Sequence, residues 1–320
     1  MRRWLWMVGV ALLVALMPGL AGAAPRESMA LAANERGNAS GKFALELDGV
    51  IVGFVQEVDG GHAVADVVTE KLGGDWLVRK HIGNVKYEAI ALKIDASLAR
   101  PFYDWIKASL DGKHERKSGS IIYLDREGNE VERLSFTGGL LTEIGMPALD
   151  AASKDAAKMT IKIAPEYTRR SASEPKPVVV PATQKKWLPA NFRLRIDGLE
   201  EPCARVNKIE AIVVKQRTLE TGETWWDPSD LTFALENPLY QDGGMSGVNP
   251  LYEAQDQTLG ASADGKGQER TGTLEYLAED GRPIFTLSFG GLGVYRVTSG
   301  DQITATAYVQ PQVSFQYSGQ

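Results

Sequence analysis

The residue types that most often carry chemistry are sparse in this sequence. Its 320 residues include three histidines, His62, His81 and His114, and one cysteine, Cys203. None of the histidines has the spacing of a metal-ligand motif such as H-E-x-x-H, and the sequence has no Cys/His cluster. A single cysteine cannot form an intramolecular disulfide, so we expect Cys203 to be a buried, unreactive thiol. The sequence therefore predicts no metal site, no cofactor and no catalytic residue.

Motifs for nucleophilic catalysis and phosphate binding are also missing. Residues 244–247, GMSG, lack the final spacing of a G-x-S-x-G nucleophile elbow. Carboxylates are plentiful, which leaves a secreted hydrolase with unassigned carboxylates as an unfavoured alternative. The adjacent Trp225 and Trp226 are candidate contacts for a ligand or partner. A strand-edge core pair or aromatics of a subunit contact would explain the same two residues equally well.

Composition narrows the class of protein further. The chain is 43% hydrophobic and 24% charged, as is typical of a folded domain, and its formal net charge is −6. A negative chain is poorly suited to holding nucleic acid through its phosphates, so we expect no sequence-specific nucleic-acid binding.

The N-terminus has the pattern of a signal peptide over residues 1–24. Arg2 and Arg3 precede an apolar run from Trp4 to Leu16, and small residues follow at 21–23. The run is too short to span a bilayer comfortably, so we expect no stable membrane span after cleavage; an uncleaved anchor is the alternative. This pattern predicts export to the periplasm or the exterior, with residues 25–41 as a flexible leader.

Two stretches of the chain repeat each other. Residues 112–136, GKHERKSGSIIYLDREGNEVERLSF, return at 265–289 as GKGQERTGTLEYLAEDGRPIFTLSF, and from Gly119 onward the spacing is 153 residues. FALELDGV at 43–50 likewise matches FRLRIDGL at 192–199. Each stretch reads as strands joined by tight turns, which are Asp-Gly except at 125–128, where the sequence is DREG. The repetition indicates one module used twice.

The remaining patterns predict the elements of the first module. Alternating apolar residues predict strands at 43–47, 51–58, 85–94 and 158–163. A helix follows Ser97, which we expect to cap it, and ends at Asp111-Gly112. Trp105 lies on the apolar side of that helix, where we expect it to face the core.

Proline content sets the domain boundaries. Five of the fifteen prolines fall within 165–190, which predicts a semi-extended linker. The predicted domains are therefore 42–164 and 191–310, with a C-terminal tail at 311–320.

With these elements in this order, residues 43–164 resemble the tail-tube proteins of contractile phages and related injection systems. The best-matching stretches are 85–94 and 101–136, and residues 192–309 look like a diverged second copy. The resemblance implies a mainly β fold: two tandem β-sandwich or rolled-barrel domains, each with one short flanking helix. In that family six domains close into a ring, rings stack into a tube, and there is no catalysis. A tandem copy resembles hub proteins in which three chains imitate the ring of six domains.

These observations predict a secreted, non-enzymatic structural protein. We expect self-association into a ring, as a trimer or hexamer, with other tail-like or injection-system components as partners. The main alternative is an exported binding module, monomeric or dimeric, that uses Trp225, Trp226 and the glycine-rich 241–250 loop.

Overall fold

The computed structural model describes residues 43–71, 78–179, 187–236, 248–260 and 268–319. The predicted signal peptide, the leader and most of the 241–250 loop lie outside these residues. Strands account for 61% of the described residues and helices for 11%, which confirms the prediction of a mainly β protein. None of the helices within the described ranges has the length and apolar character needed to cross a membrane.

The first half of the described chain has one helix, α1 (Arg100–Leu110), and most of its strands form one sheet. Its strands are β1 (Phe43–Leu47), β2 (Val50–Val55), β3 (Glu57–Asp59), β4 (Ala63–Lys71), β5 (Val78–Tyr87), β6 (Ile90–Ile94), β7 (Lys117–Leu124), β8 (Asn129–Met146), β9 (Leu149–Asp150), β10 (Met159–Ala164) and β11 (Tyr167–Pro177).

The second half has two helices, α2 (Glu200–Ala204) and α3 (Asn249–Gly260), and most of its strands form another sheet. Its strands are β12 (Phe192–Ile196), β13 (Val206–Ile209), β14 (Ile212–Thr218), β15 (Thr224–Pro228), β16 (Leu231–Glu236), β17 (Arg270–Leu277), β18 (Pro283–Ser299) and β19 (Gln302–Tyr317). Helix α2 stands where the first half has β2, and it contains Pro202, which cannot donate to a strand ladder.

The two halves share a strand order. The first sheet contains the path β1-β7-β8-β10-β6-β3, and the second contains β12-β17-β18-β19-β16-β13. The registers also agree: Gly119 faces Phe136 between β7 and β8, and Gly272 faces Phe289 between β17 and β18. The hairpin that repeats in the sequence is therefore the same structural unit in both halves.

The long strands β8 and β18 bend at equivalent glycines. Gly138 (φ 61°) and Gly291 (φ 71°) both adopt the left-handed conformation, which is costly for a residue with a Cβ. At Gly138, β8 changes partner from β11 to β10; at Gly291, the ladder of β18 with β19 shifts register. The glycines thus allow one strand to continue through a bulge that would otherwise end it.

Alternation along the strands builds a core shared by both halves. Leu45, Ile121 and Leu134 lie in register on three neighbouring strands and are each at most 1% exposed. Their side chains belong to one continuous apolar cluster that also contains residues of the second half. Trp105 is 1% exposed and its indole N–H donates to the carbonyl of Glu115 at 2.8 Å, so the predicted core position is confirmed.

Two local predictions were wrong. Helix α1 has Ala99 at its N-cap without a side-chain cap, because the hydroxyl of Ser97 donates instead to the carboxylate of Asp95. The strand predicted at 85–94 is divided at Glu88 and Ala89 into β5 and β6, which belong to different sheets. Both errors arise because a local pattern cannot distinguish between competing partners.

The segment predicted as a linker contains β11. Thr168 of this strand lies opposite Phe136 of β8, and its hydroxyl donates to the carbonyl of Gly61 at 2.8 Å. Most of the strand is exposed, so its sequence lacks the apolar alternation of a buried strand. The predicted C-terminal tail similarly continues β19 as far as Tyr317.

Candidate functional site

The two halves of the chain are joined edge to edge. Strand β14 of the second half adds antiparallel to the end of β8 of the first, with four residue pairs in register, namely Ile212–Met146, Val213–Gly145, Val214–Ile144 and Lys215–Glu143. Because β14 also pairs with β15, the whole β14–β15 hairpin extends the first sheet. We call this contact of residues 212–215 with residues 143–146 the closed junction.

Apolar side chains fill the closed junction. Ile212, Val214, Ile144 and Met146 are each 1% exposed. Trp226 of β15 is 6% exposed, and its indole N–H donates to the carbonyl of Ser109 in α1 at 2.7 Å. A tryptophan fills such a site well, since it combines a large apolar surface with one donor.

The adjacent Trp225 differs from Trp226 in its burial. Successive strand residues point to opposite faces, and Trp225 is only half-buried where Trp226 is buried. The structure thus places Trp226 against the chain's own first half. That this pair contacts a ligand or a separate partner stays a prediction.

The rim of the closed junction is polar. The carboxylate of Glu143 lies 3.0 Å from the ammonium of Lys162 and 3.9 Å from that of Lys215. The exposed imidazole of His114 lies within hydrogen-bond distance of Gln216 and Thr224 of the hairpin. These partly exposed contacts fix orientation more than they add stability.

Helix α1 widens the contact between the halves. The ring of Tyr103 stacks on Tyr317 with centroids 4.1 Å apart and lies 5.1 Å from the ring of Phe285. All three residues belong to the apolar core or pack against it. The first half therefore buries its helix against strands of the second.

The first half has its own counterpart of the β14–β15 hairpin, namely β4–β5. Ala63 faces Tyr87 in the same way that Val214 faces Pro228. Tyr87 and Pro228 each lie three residues before the next strand, which begins at Ile90 in the first half and at Leu231 in the second. A backbone hydrogen bond at the base of the hairpin also recurs. The Glu88 N–H donates to the carbonyl of His62 at 2.9 Å, and the Ser229 N–H donates to the carbonyl of Val213 at 2.8 Å. Unlike β14–β15, however, the β4–β5 hairpin pairs with no other strand in the described ranges. We call it the open hairpin.

The open hairpin is unusually apolar for an exposed element. Five of the twelve large apolar side chains that are exposed in the described residues lie on it, at Val64, Val67, Val78, Ile82 and Val85. Val85 occupies the position of Trp226 and is 54% exposed. A sheet edge with exposed apolar side chains is a ready surface for pairing with another chain.

Strand β18 likewise has a counterpart of the β8 edge. Beyond Leu292, β18 pairs with β19 alone among the described strands, because β17 ends its ladder there. Residues 296–298 correspond to residues 143–145 of the closed junction. Arg296 and Thr298 are exposed and Val297 is half-buried. We call residues 296–298 the open edge.

A buried ionic cluster distinguishes the first half. The Arg133 guanidinium lies 2.9 Å from the carboxylates of Glu130 and Glu46, and the Ser173 hydroxyl donates to Glu130 at 2.6 Å. The hydrogen bonds from Arg133, and to a lesser extent the one from Ser173, lower the pKa of Glu130 to about 2. They outweigh the burial of its side chain, which is only 2% exposed and which acts to raise the pKa. The cluster ties β1, β8 and β11 together, which is a structural role.

Within the described residues, the cysteine and the three histidines lie on separate segments rather than in one cluster. Burial raises the pKa of the Cys203 thiol to about 12, so it stays protonated at neutral pH, and the predicted burial is confirmed. His62, His81 and His114 are all exposed and lie on different segments. Within the part of the chain that the structure describes, no group of three His, Cys, Asp or Glu side chains could hold a metal ion. The features that point to function are therefore surfaces, the open hairpin and the open edge.

Comparison with known proteins agrees with the sequence resemblance. Residues 39–169 match the family described as T4-like virus tail tube protein gp19, which confirms the predicted resemblance for the first half of the chain. No curated protein matches the chain.

Several solved structures are similar over part of the chain. The sheath-tube complex of an extracellular contractile injection system, PVC, is 19% identical with a TM-score of 0.36, covering 41% of this chain and 89% of that one. The anti-feeding prophage baseplate structure is 16% identical with a TM-score of 0.36, covering 41% of this chain and 93% of that one. Hcp1 from Flavobacterium johnsoniae is 17% identical with a TM-score of 0.29, covering 41% of this chain and 95% of that one. Each of these structures matches less than half of this chain.

Proposed function

We propose that this protein is a non-enzymatic structural subunit that self-associates, and that its two halves are copies of one tail-tube-type module. The closed junction is the observation that carries the proposal. Inside a single chain, the hairpin of one half completes the sheet of the other. The equivalent hairpin and the equivalent edge are left for other chains.

Agreement between the halves supports the duplication. The strand orders correspond, the β7–β8 and β17–β18 registers coincide, and Gly138 and Gly291 bend the long strands at equivalent places. Agreement in bulge position is strong support, since bulges are specific features of a fold.

The expected assembly is a ring of six halves. Three chains would supply them, giving a trimer with pseudo-sixfold symmetry, and a hexamer is the other arrangement proposed. The family match over 39–169 supports this choice, and it makes tail-like or injection-system components the expected partners.

Export is part of the proposal. The paired arginines, the apolar run and the small residues at 21–23 support secretion, so the ring would assemble in the periplasm or outside the cell.

Native mass spectrometry and mass photometry of residues 25–320 at micromolar concentration test the proposal. We expect trimers or hexamers. Changing Val64 and Val85 to lysine should give a folded monomer, because charged side chains protect an exposed edge from pairing. The matched control is Leu219→Lys, which alters an exposed apolar side chain at the turn of the β14–β15 hairpin and should leave the oligomer intact. A wild-type chain that stays monomeric would contradict the proposal.

A further inference from the structure

We propose that the open hairpin of one chain adds to the open edge of a second copy in the register of the closed junction. This inference rests on the proposed function, since it identifies the surfaces through which the chains would associate. It goes further by specifying which residues face each other.

The register follows from the closed junction. There, Val213, Val214 and Lys215 face Gly145, Ile144 and Glu143. Replacing each residue by its counterpart in the other half gives three pairs between chains, namely His62–Thr298, Ala63–Val297 and Val64–Arg296.

We infer that the open hairpin pairs with a second copy of this chain, because each chain carries one open hairpin and one open edge. The open hairpin is in the first half and the open edge is in the second, and in the described chain the two are not paired with each other. Since one copy uses its hairpin and the next uses its edge, the contact is head-to-tail rather than two-fold. Head-to-tail contacts repeat from chain to chain and close into a ring when the rotation allows.

The side chains of the two surfaces are compatible. Val64 is 41% exposed and would lie opposite Arg296, whose aliphatic stem can cover it while the guanidinium stays in water. Val85 would be covered as its counterpart Trp226 is covered in the closed junction. Pairing would also add antiparallel backbone hydrogen bonds between β4 and residues 296–298.

Disulfide cross-linking tests the register. Ala63→Cys and Val297→Cys are introduced together in a Cys203→Ser background, since facing residues of antiparallel strands lie within reach of a disulfide. After oxidation at micromolar concentration, we expect most of the chain as dimers and trimers on a non-reducing gel, reverting to monomer on reduction. Mixing the two single-cysteine chains should give dimers and no larger species.

Two matched variants calibrate the result. Val214→Cys with Ile144→Cys places the same pair in the closed junction and should cross-link within one chain, which shows that this register permits the bond. Thr69→Cys with Val297→Cys keeps one cysteine on the open hairpin but out of register, and its cross-linking should be at least tenfold lower.

The outcomes separate this inference from the proposed function. Oligomers that form without cross-linking the 63/297 pair would overturn the register and leave self-association standing. A chain that is monomeric by mass photometry would overturn both. Rapid cross-linking within a single chain would show that the open hairpin folds back on its own open edge, which would also overturn the inference.

Discussion

The two hairpins of this protein have the same base and different surroundings. In both, the pairs nearest the base have the same register and the same backbone hydrogen bond closes the base, but beyond Ala65 the open hairpin has a bulge that the β14–β15 hairpin lacks. One hairpin lies on β8 and buries Trp226, whereas the other exposes Val85 at the equivalent position. At their bases, the two hairpins therefore differ in available partners rather than in backbone geometry.

If the two halves are copies of one module, as proposed, this comparison explains how that module would serve two purposes. A hairpin that finds an edge within its own chain becomes part of the core and can carry a large aromatic side chain. A hairpin whose edge must come from another chain has to stay soluble until it is paired, and smaller valines interspersed with charged residues meet that requirement better.

The largest expected effect comes from removing the anchor of the closed junction. Trp226→Ala should lower the free energy of unfolding by about 3–5 kcal/mol, because it removes a buried indole and its hydrogen bond to the Ser109 carbonyl, which keeps the backbone N–H of Gly112 as a donor. Val85→Ala should change it by no more than about 0.5 kcal/mol in the monomer. Urea denaturation at a concentration where mass photometry shows monomers would measure both.

Equal losses for the two variants would contradict the comparison, since they would mean that the open hairpin is already covered within its own chain. Trp226→Phe is the milder control: it keeps most of the apolar area and loses only the hydrogen bond.

Much of the scaffold could be predicted from the sequence. The β7–β8 and β17–β18 hairpins were predicted because tight-turn sequences and alternating apolar residues are local signals that fix a register. The closed junction could not be predicted in this way. Strands β8 and β14 are far apart in the chain, and the sequence at 212–215 suits any buried edge.

The candidate site was missed for the same reason. The pattern at 63–71 and 78–87 contains valines without a clear period, and an exposed apolar hairpin looks like an ordinary strand until its neighbours are known. Trp225 and Trp226 were predicted to be contacts, but only the fold shows that Trp226 faces α1 within the same chain.

A second comparison sets the ionic cluster of the first half against the second half. At the positions equivalent to Glu46, Glu130 and Arg133, the second half has Arg195, Pro283 and Thr286. Glu130→Gln should therefore destabilise the protein by about 1–3 kcal/mol at neutral pH, through loss of charge-assisted bonds to Arg133. Urea denaturation at a series of pH values would measure this loss.

The pH dependence gives the sharper test. The folded pKa of Glu130, about 2, is below its ordinary value of 4.5, so its contribution is complete above about pH 4.5 and is lost as the pH falls toward 2. The difference in stability between wild type and Glu130→Gln should shrink over that range. Glu275→Gln, which removes the partner of the partly exposed Arg193, is the control and should cost less at neutral pH. A Glu130→Gln effect that does not change with pH would argue against the ionic origin of the stabilisation.

The smallest expected effect refines the comparison between the closed junction and its proposed counterpart. In the closed junction Lys215 faces Glu143, whereas in the proposed contact Val64 would face Arg296. Val64→Glu would restore a pair of opposite charges and should strengthen association by about 0.2–1 kcal/mol, while Val64→Lys would place like charges opposite each other and weaken it by a similar amount. Mass photometry over a dilution series would measure the shift, and raising the salt concentration should reduce both changes.

Adding Arg296→Glu to Val64→Lys should recover the association lost in the single variant, because the charges would again be opposite. Failure of that double variant to recover, with both chains folded, would place Val64 opposite some other residue.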